Sequence, residues 1–159
     1  MTSAPIIHPN NGFVKLSRAS GLGLVWPPQG ILALMIDHIG IRVFNYESAK
    51  SFYEKAFAPL GLTVLMGEDN VYHGFGKDKP FFWITKAASA DTVTKGVHIA
   101  ISASSADEVN AFYAAAIAAH GVDNGAPGPR KEYHPGYYGA FVLDENGNNI
   151  EAVFHGFTG

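Results

Sequence analysis

Between positions 36 and 44 apolar and non-apolar residues alternate, Ile39, Ile41 and Val43 on one side and His38, Gly40 and Arg42 on the other. That period of two predicts a strand with one face against a core. Ala49, Phe52, Tyr53, Ala56 and Phe57 then recur at i, i+3, i+4, i+7 and i+8, predicting a helix with Asn45 as N-cap and an end near Pro59 and Gly61. Three further strand candidates follow at 62–66, 71–76 and 81–85. Sixty positions later the grammar returns without a gap: His38, Ile39, Ile41, Phe52, Tyr53, Ala56, Ala58 and Gly61 become His98, Ile99, Ile101, Phe112, Tyr113, Ala116, Ala118 and Gly121. The chain is therefore an internal duplication. Its second half predicts a strand at 97–102 and a helix capped by a box of Ser105 and Glu108, with Val109, Phe112, Tyr113, Ala116 and Ile117 as its apolar stripe. After it come a less regular segment around Val122, strands at 137–143 and 149–155, and a turn through Asp144, Glu145, Asn146 and Gly147.

The predicted fold class is α+β: two tandem βαβββ modules, about 35–87 and 96–156, pairing into a curved mixed sheet around a cleft. Residues 1–34 stand outside the repeat as an N-terminal arm, and 35–159 form the domain. The arm is rich in Pro and Gly, lacks Asp and Glu, and carries only Lys15 and Arg18 as charges. Two readings fit it: an organelle-targeting segment, or an irregular arm anchored by Leu22, Leu24, Val25 and Trp26.

With 159 residues, 47% hydrophobic and a net charge of −3, the chain can bury a core, and it shows no basic footprint for nucleic acid or an anionic membrane. No apolar run reaches the roughly twenty residues of a bilayer span. A small-molecule partner is expected. The absence of cysteine removes disulfides and thiolate metal sites and fits a cytoplasmic location.

Candidate chemistry comes from parity. If Val97, Ile99 and Ile101 face the helix, His98, Ala100 and Ser102 face away from it, as His38 does in its own strand, and in the last strand Glu151, Val153 and His155 point opposite to Ile150, Ala152 and Phe154. His38, His98 and Glu151 are metal-compatible donors on cavity-facing positions, and two imidazoles with one carboxylate suit Zn, Fe(II), Mn, Ni or Co while leaving positions for substrate. The alternative for Glu151 is an ion pair with Arg42 or with a protonated histidine, since a carboxylate in an apolar strand must be paired, protonated or metal-bound. Arg42, on the face of His38, is a candidate clamp for a substrate carboxylate or phosphate. Phe81, Trp83, Tyr133, Tyr137 and Tyr138 are candidates for an aromatic pocket, with Tyr138 as a possible proton donor, and His155 for support of Glu151. His73 and His134 read as solvent-exposed, and residues 125–131 as a lid rather than a phosphate loop.

The repeated module, the His38 and His98 strand starts, the Phe-Tyr pairs of both helices and the ending from Asp144 to Glu151 resemble the vicinal oxygen chelate superfamily. That superfamily includes glyoxalase I, fosfomycin-modifying enzymes, extradiol dioxygenases and bleomycin resistance proteins. The resemblance implies a divalent metal on His38, His98 and Glu151, a small oxygen-bearing substrate bound through it, and modules sometimes exchanged within a homodimer. Where glyoxalase I has a further carboxylate ligand, pairing Phe82 with Ile150 puts Trp83, whose indole nitrogen is only a donor. The expected function is a metal-dependent lyase or dioxygenase, with Glu151, Arg42 and Tyr138 in catalytic roles. The alternative is a non-catalytic protein that sequesters a small molecule.

Overall fold

The computed structural model describes residues 36–159, which belong to one compact unit. The readings of residues 1–34 lie outside the described residues. The first module runs β1 (Ile39–Val43), α1 (Tyr46–Phe57), β2 (Thr63–Glu68), β3 (Tyr72–Gly76) and β4 (Pro80–Lys86). The second runs β5 (His98–Ser102), α2 (Ala106–Ala118), β6 (Val122–Pro129), β7 (Tyr138–Leu143) and β8 (Asn149–Phe154). Each module forms its own four-stranded mixed sheet, in the orders β1-β4-β3-β2 and β5-β8-β7-β6, with the first and last strands of each module parallel. The tandem βαβββ architecture follows the repeat, and the two sheets are not closed into one.

The apolar stripes explain how the modules join. Ala49, Phe52, Tyr53, Ala56 and Phe57 of α1 are all buried, as are Val109, Phe112 and Ala116 of α2, and together with Ile41, Val43, Phe75, Phe82, Ile84, Ile101, Val142 and Ile150 they form one core. In the α2 stripe Ile117 turns out to be 36% exposed, and Ala119 takes the inward place. The modules meet through α1, α2 and the single 3-10 turn after α1, with no substantial contact between strands of different sheets. Each sheet thus gives one face to the shared core and turns the other away from it. One polar tie crosses the core: the Tyr53 hydroxyl of α1 donates to Asp144 Oδ2 at 2.7 Å, in the β7–β8 turn.

Three local expectations change. Asn45 sits at the N-cap of α1 without a side-chain capping bond, whereas Ser105 Oγ accepts from the Glu108 amide at 3.2 Å. Residues 125–129 are not a lid but the end of edge strand β6, whose register shifts absorb Gly125 and the prolines, which an edge strand tolerates. His73 is 6% exposed rather than solvated, because it lies on the core face of β3 opposite Ile84 and its Nδ1 meets the Tyr46 hydroxyl at 2.6 Å. Burial pushes that phenol up to about 12. Gly67 on β2 leaves room for the His73 ring: a Cβ there would lie 2.3 Å from its Cδ2.

Candidate functional site

The parallel pairing of β5 with β8 fixes the centre of the site. Ala100 aligns with Glu151 and His98 with Asn149, so His98 and Glu151 share the face averted from the helices, and His98 Nε2 lies 2.9 Å from Glu151 Oε2. Glu151 is 1% exposed, while the His98 side chain is 54% exposed. A buried carboxylate needs compensation. Here it comes from the His98 imidazole on one oxygen and from the Tyr137 hydroxyl, which donates to Oε1, on the other. Burial first, and then the bond to Glu151, push the Tyr137 phenol far above its ordinary range, so it stays a proton donor. Glu151 is not paired with Arg42.

Around this pair lies an aromatic and imidazole cluster. Tyr137 meets the rings of Tyr133, His134 and His155 edge-on at centroid distances of 5.0, 5.3 and 5.2 Å. His134 stacks on His155, with Nε2 2.9 Å from His155 Nδ1. Because the Pro135 carbonyl only accepts, His134 Nδ1 carries a proton toward it at 2.7 Å, and in neutral His134 the Nε2 then accepts from His155. Burial, and then the neighbouring His134, hold His155 below the ordinary histidine value. A hollow of about 340 Å³ on this face is lined by His98, Asn124, Gly125, Arg130, Tyr133 and Phe141.

The first sheet carries the related surface. Gly40 aligns with Trp83 as Ala100 aligns with Glu151, so Trp83 occupies the position equivalent to Glu151 in the other module. Its ring lies over Gly74, where a Cβ would come within 2.8 Å of Cη2, and it tilts against Tyr72 at 6.0 Å. His38, Gly40, Tyr72, Trp83 and Thr85 line a hollow of about 450 Å³. The His38 side chain is 62% exposed, with Nδ1 2.8 Å from Asp37 Oδ1. That bond and the Lys79 ammonium hold the Asp37 carboxyl below its usual range. Arg42 lies on the same sheet face as His38 and is exposed.

Within one chain the expected residues thus fall into two groups: His98, Glu151, Tyr137, Tyr133 and His155 on the second sheet, His38, Arg42 and Trp83 on the first. Among the described residues no three His, Asp or Glu side chains are gathered at one point. The pair of His98 and Glu151 fits a divalent transition ion in donor chemistry, supplying two of the three ligands such an ion takes. Phe81 packs against the core. Tyr138 points to the helix side, its hydroxyl donating to Asn110 Oδ1 at 2.9 Å and its ring against Phe157. The tyrosine beside Glu151 is its neighbour, Tyr137. His134, expected to be solvent-exposed, is instead partly buried against His155, and Arg130, expected in a lid, also lines this surface.

The model of the Glyoxalase/Bleomycin resistance protein/Dioxygenase superfamily matches residues 35–152. The chain belongs to this superfamily. It is similar to a glyoxalase/bleomycin resistance protein from Albidiferax ferrireducens, at 27% identity over 75% of this chain and 97% of that one, with a TM-score of 0.64. Two further solved structures share the fold. One is a lactoylglutathione lyase from Agrobacterium tumefaciens (17% identity, 80% and 94% coverage, TM-score 0.55). The other is a mutant fosfomycin resistance protein from Listeria monocytogenes, in complex with Mn(II) and dihydroxypropylphosphonic acid (15%, 77% and 90%, 0.56). No protein of curated function matches. Among the described residues no helix is long and apolar enough to cross a membrane. The superfamily contains both metalloenzymes and resistance proteins.

Proposed function

We propose that this chain is a divalent-metal-dependent enzyme of lyase or dioxygenase type, acting on a small substrate through adjacent oxygen atoms. His98 and Glu151 of one copy, with His38 of a second copy, are the metal ligands. The observation that carries this reading is the buried Glu151 carboxylate held 2.9 Å from an exposed imidazole, on the sheet face averted from the core. The second copy is inferred from the separation of the sheets. His38 and His98 occupy equivalent positions but lie on separate sheets, whose modules meet mainly through α1, α2 and the turn after α1. A two-fold dimer pairing the first sheet of one chain with the second sheet of the other brings them to a common centre twice.

A divalent ion held there supplies Lewis acidity to the substrate oxygens. The chain's own residues do the rest. Arg42, one sheet step from His38, offers a two-pronged donor to an anionic group of the substrate. Trp83 and Tyr72 furnish an apolar wall that excludes water from one side. The second reading, a module that sequesters a small molecule without chemistry, is favoured by one observation: an indole that cannot ligate stands where the other module has its carboxylate.

Elemental analysis of protein purified without a chelating tag, followed by titration with Mn(II), Fe(II), Zn(II), Ni(II) and Co(II), separates the two. The enzyme reading expects one ion per chain, lost on His98→Ala, on Glu151→Gln and on His38→Ala. Protein that takes up none of these ions, yet binds aromatic ligands through Trp83, would establish the sequestering module instead.

A further inference from the structure

We infer that Tyr137 is a positioning residue that makes Glu151 a one-oxygen donor. Its phenol occupies Oε1, leaving Oε2, beside His98 Nε2, as the oxygen presented to a bound cation. The inference rests on the metal reading above and adds to it a cause for the carboxylate's orientation.

Three features of the structure converge on this role. The first is the bond itself: the hydroxyl donates to Oε1, while Oε2 faces His98 at 2.9 Å, so the two oxygens are already differentiated. Chelation of one ion by both oxygens would turn Oε1 and its lone pairs toward the ion and so compete with the phenol bond. The second is the support of the phenol. Tyr133 and the stacked pair of His134 and His155 meet its ring edge-on, which holds the phenol in place rather than letting it follow the carboxylate. The third is the space. Gly139, beside Val153 on β8, would with a Cβ place a carbon 2.9 Å from Glu151 Oε1 and 3.1 Å from Tyr137 Cε1. A residue of any size at 139 would part the phenol from the carboxylate. Gly139 thus leaves open the space in which they meet.

An outer group that holds a ligand in place typically contributes 10–100-fold in metal affinity. Tyr137→Phe removes the donor with little change of shape. Gly139→Ala keeps every polar atom and displaces the contact sterically, so the two variants test one role by different routes. Co(II) is the probe, read by binding titration and by its visible d–d absorption, with thermal melts confirming that each variant folds. The expected result is a roughly 10–100-fold weaker Co(II) affinity in both variants. It is accompanied by a drop in visible absorptivity, as Glu151 turns to offer both oxygens and the coordination number rises. Weakened affinity with an unchanged spectrum would overturn the one-oxygen role and leave only a packing effect. Wild-type binding with both variants indistinguishable from it would overturn this inference alone. Failure of the wild type to bind Co(II) would overturn the metal reading as well.

Discussion

The helix-averted faces of the two sheets descend from one duplicated scaffold, and the divergence that decides their chemistry is at the register position of Trp83 and Glu151. On the first, His38 stands near Trp83, an indole lying over Gly74. On the second, His98 stands beside Glu151, a carboxylate over Gly139. Each bulky or charged group depends on a glycine on the neighbouring antiparallel strand, so the glycine follows the group it accommodates. The duplication preserved the imidazole in both halves. It kept an anionic donor in only one, so neither face alone holds a complete ligand set, and the two faces have complementary content.

The largest test of this contrast is Glu151→Gln against Trp83→Phe. The first should weaken divalent-ion binding by more than the roughly 10–100-fold expected for loss of an outer partner, with the fold retained. The second should leave affinity near wild type, as calorimetric titration with Mn(II) would measure. Equal losses would mean that the two positions have not diverged in role.

A second test addresses the tie between modules. Tyr53→Phe leaves the Asp144 carboxylate with its three bonds from Asn146 and Asn148 but removes the one that crosses the core. Unfolding in urea should show a loss of about 2 kcal/mol, the size of a hydrogen bond to a charged group, with an unchanged slope. A change of slope would instead indicate that the modules unfold separately.

The helix caps sharpen the comparison on a smaller scale. Ser105→Ala should cost about 1 kcal/mol, because its hydroxyl caps α2. Asn45→Ala should stay within about 0.5 kcal/mol, because its side chain caps nothing in α1.

The smallest effect expected is in pH dependence. His155 is held below the ordinary value of 6.5, chiefly by burial, so between its folded pKa and 6.5 the unfolded chain binds more protons than the folded one. Stability should therefore fall as the pH drops through that window. His155→Gln should flatten this part of the profile when melts are run with chelator present.

The sequence carried most of the scaffold and about half of the site. The period-two and period-3.6 patterns located both helices and seven of the eight strands among the described residues, with the eighth marked only around Val122, and the sixty-residue repeat put Trp83 at the position equivalent to Glu151. Parity also put His98 and Glu151 on one face. What it could not give was the phase at the start of β7: Tyr137 and Tyr138 are adjacent, and a one-residue difference sends one to the carboxylate and the other to the helix side. It also hid His73, whose alternation with Phe75 marked a core position that only its bond to Tyr46 explains. β6 was marked only as a less regular segment around Val122, and its far end was read as a lid, because glycine and proline punctuate it; an edge strand with register shifts tolerates both.

The central claim, that one site draws on two copies of the chain, is tested most directly by mixing. His38→Ala and Glu151→Gln proteins each lack one ligand from every site. Partial unfolding and co-refolding of an equimolar mixture should yield heterodimers in which one site regains His38 from one chain and Glu151 from the other. With random pairing, about a quarter of the wild-type high-affinity Mn(II) sites should return, counted by electron paramagnetic resonance of bound ion. No recovery, with both variants folded and exchanging subunits, would contradict the shared site.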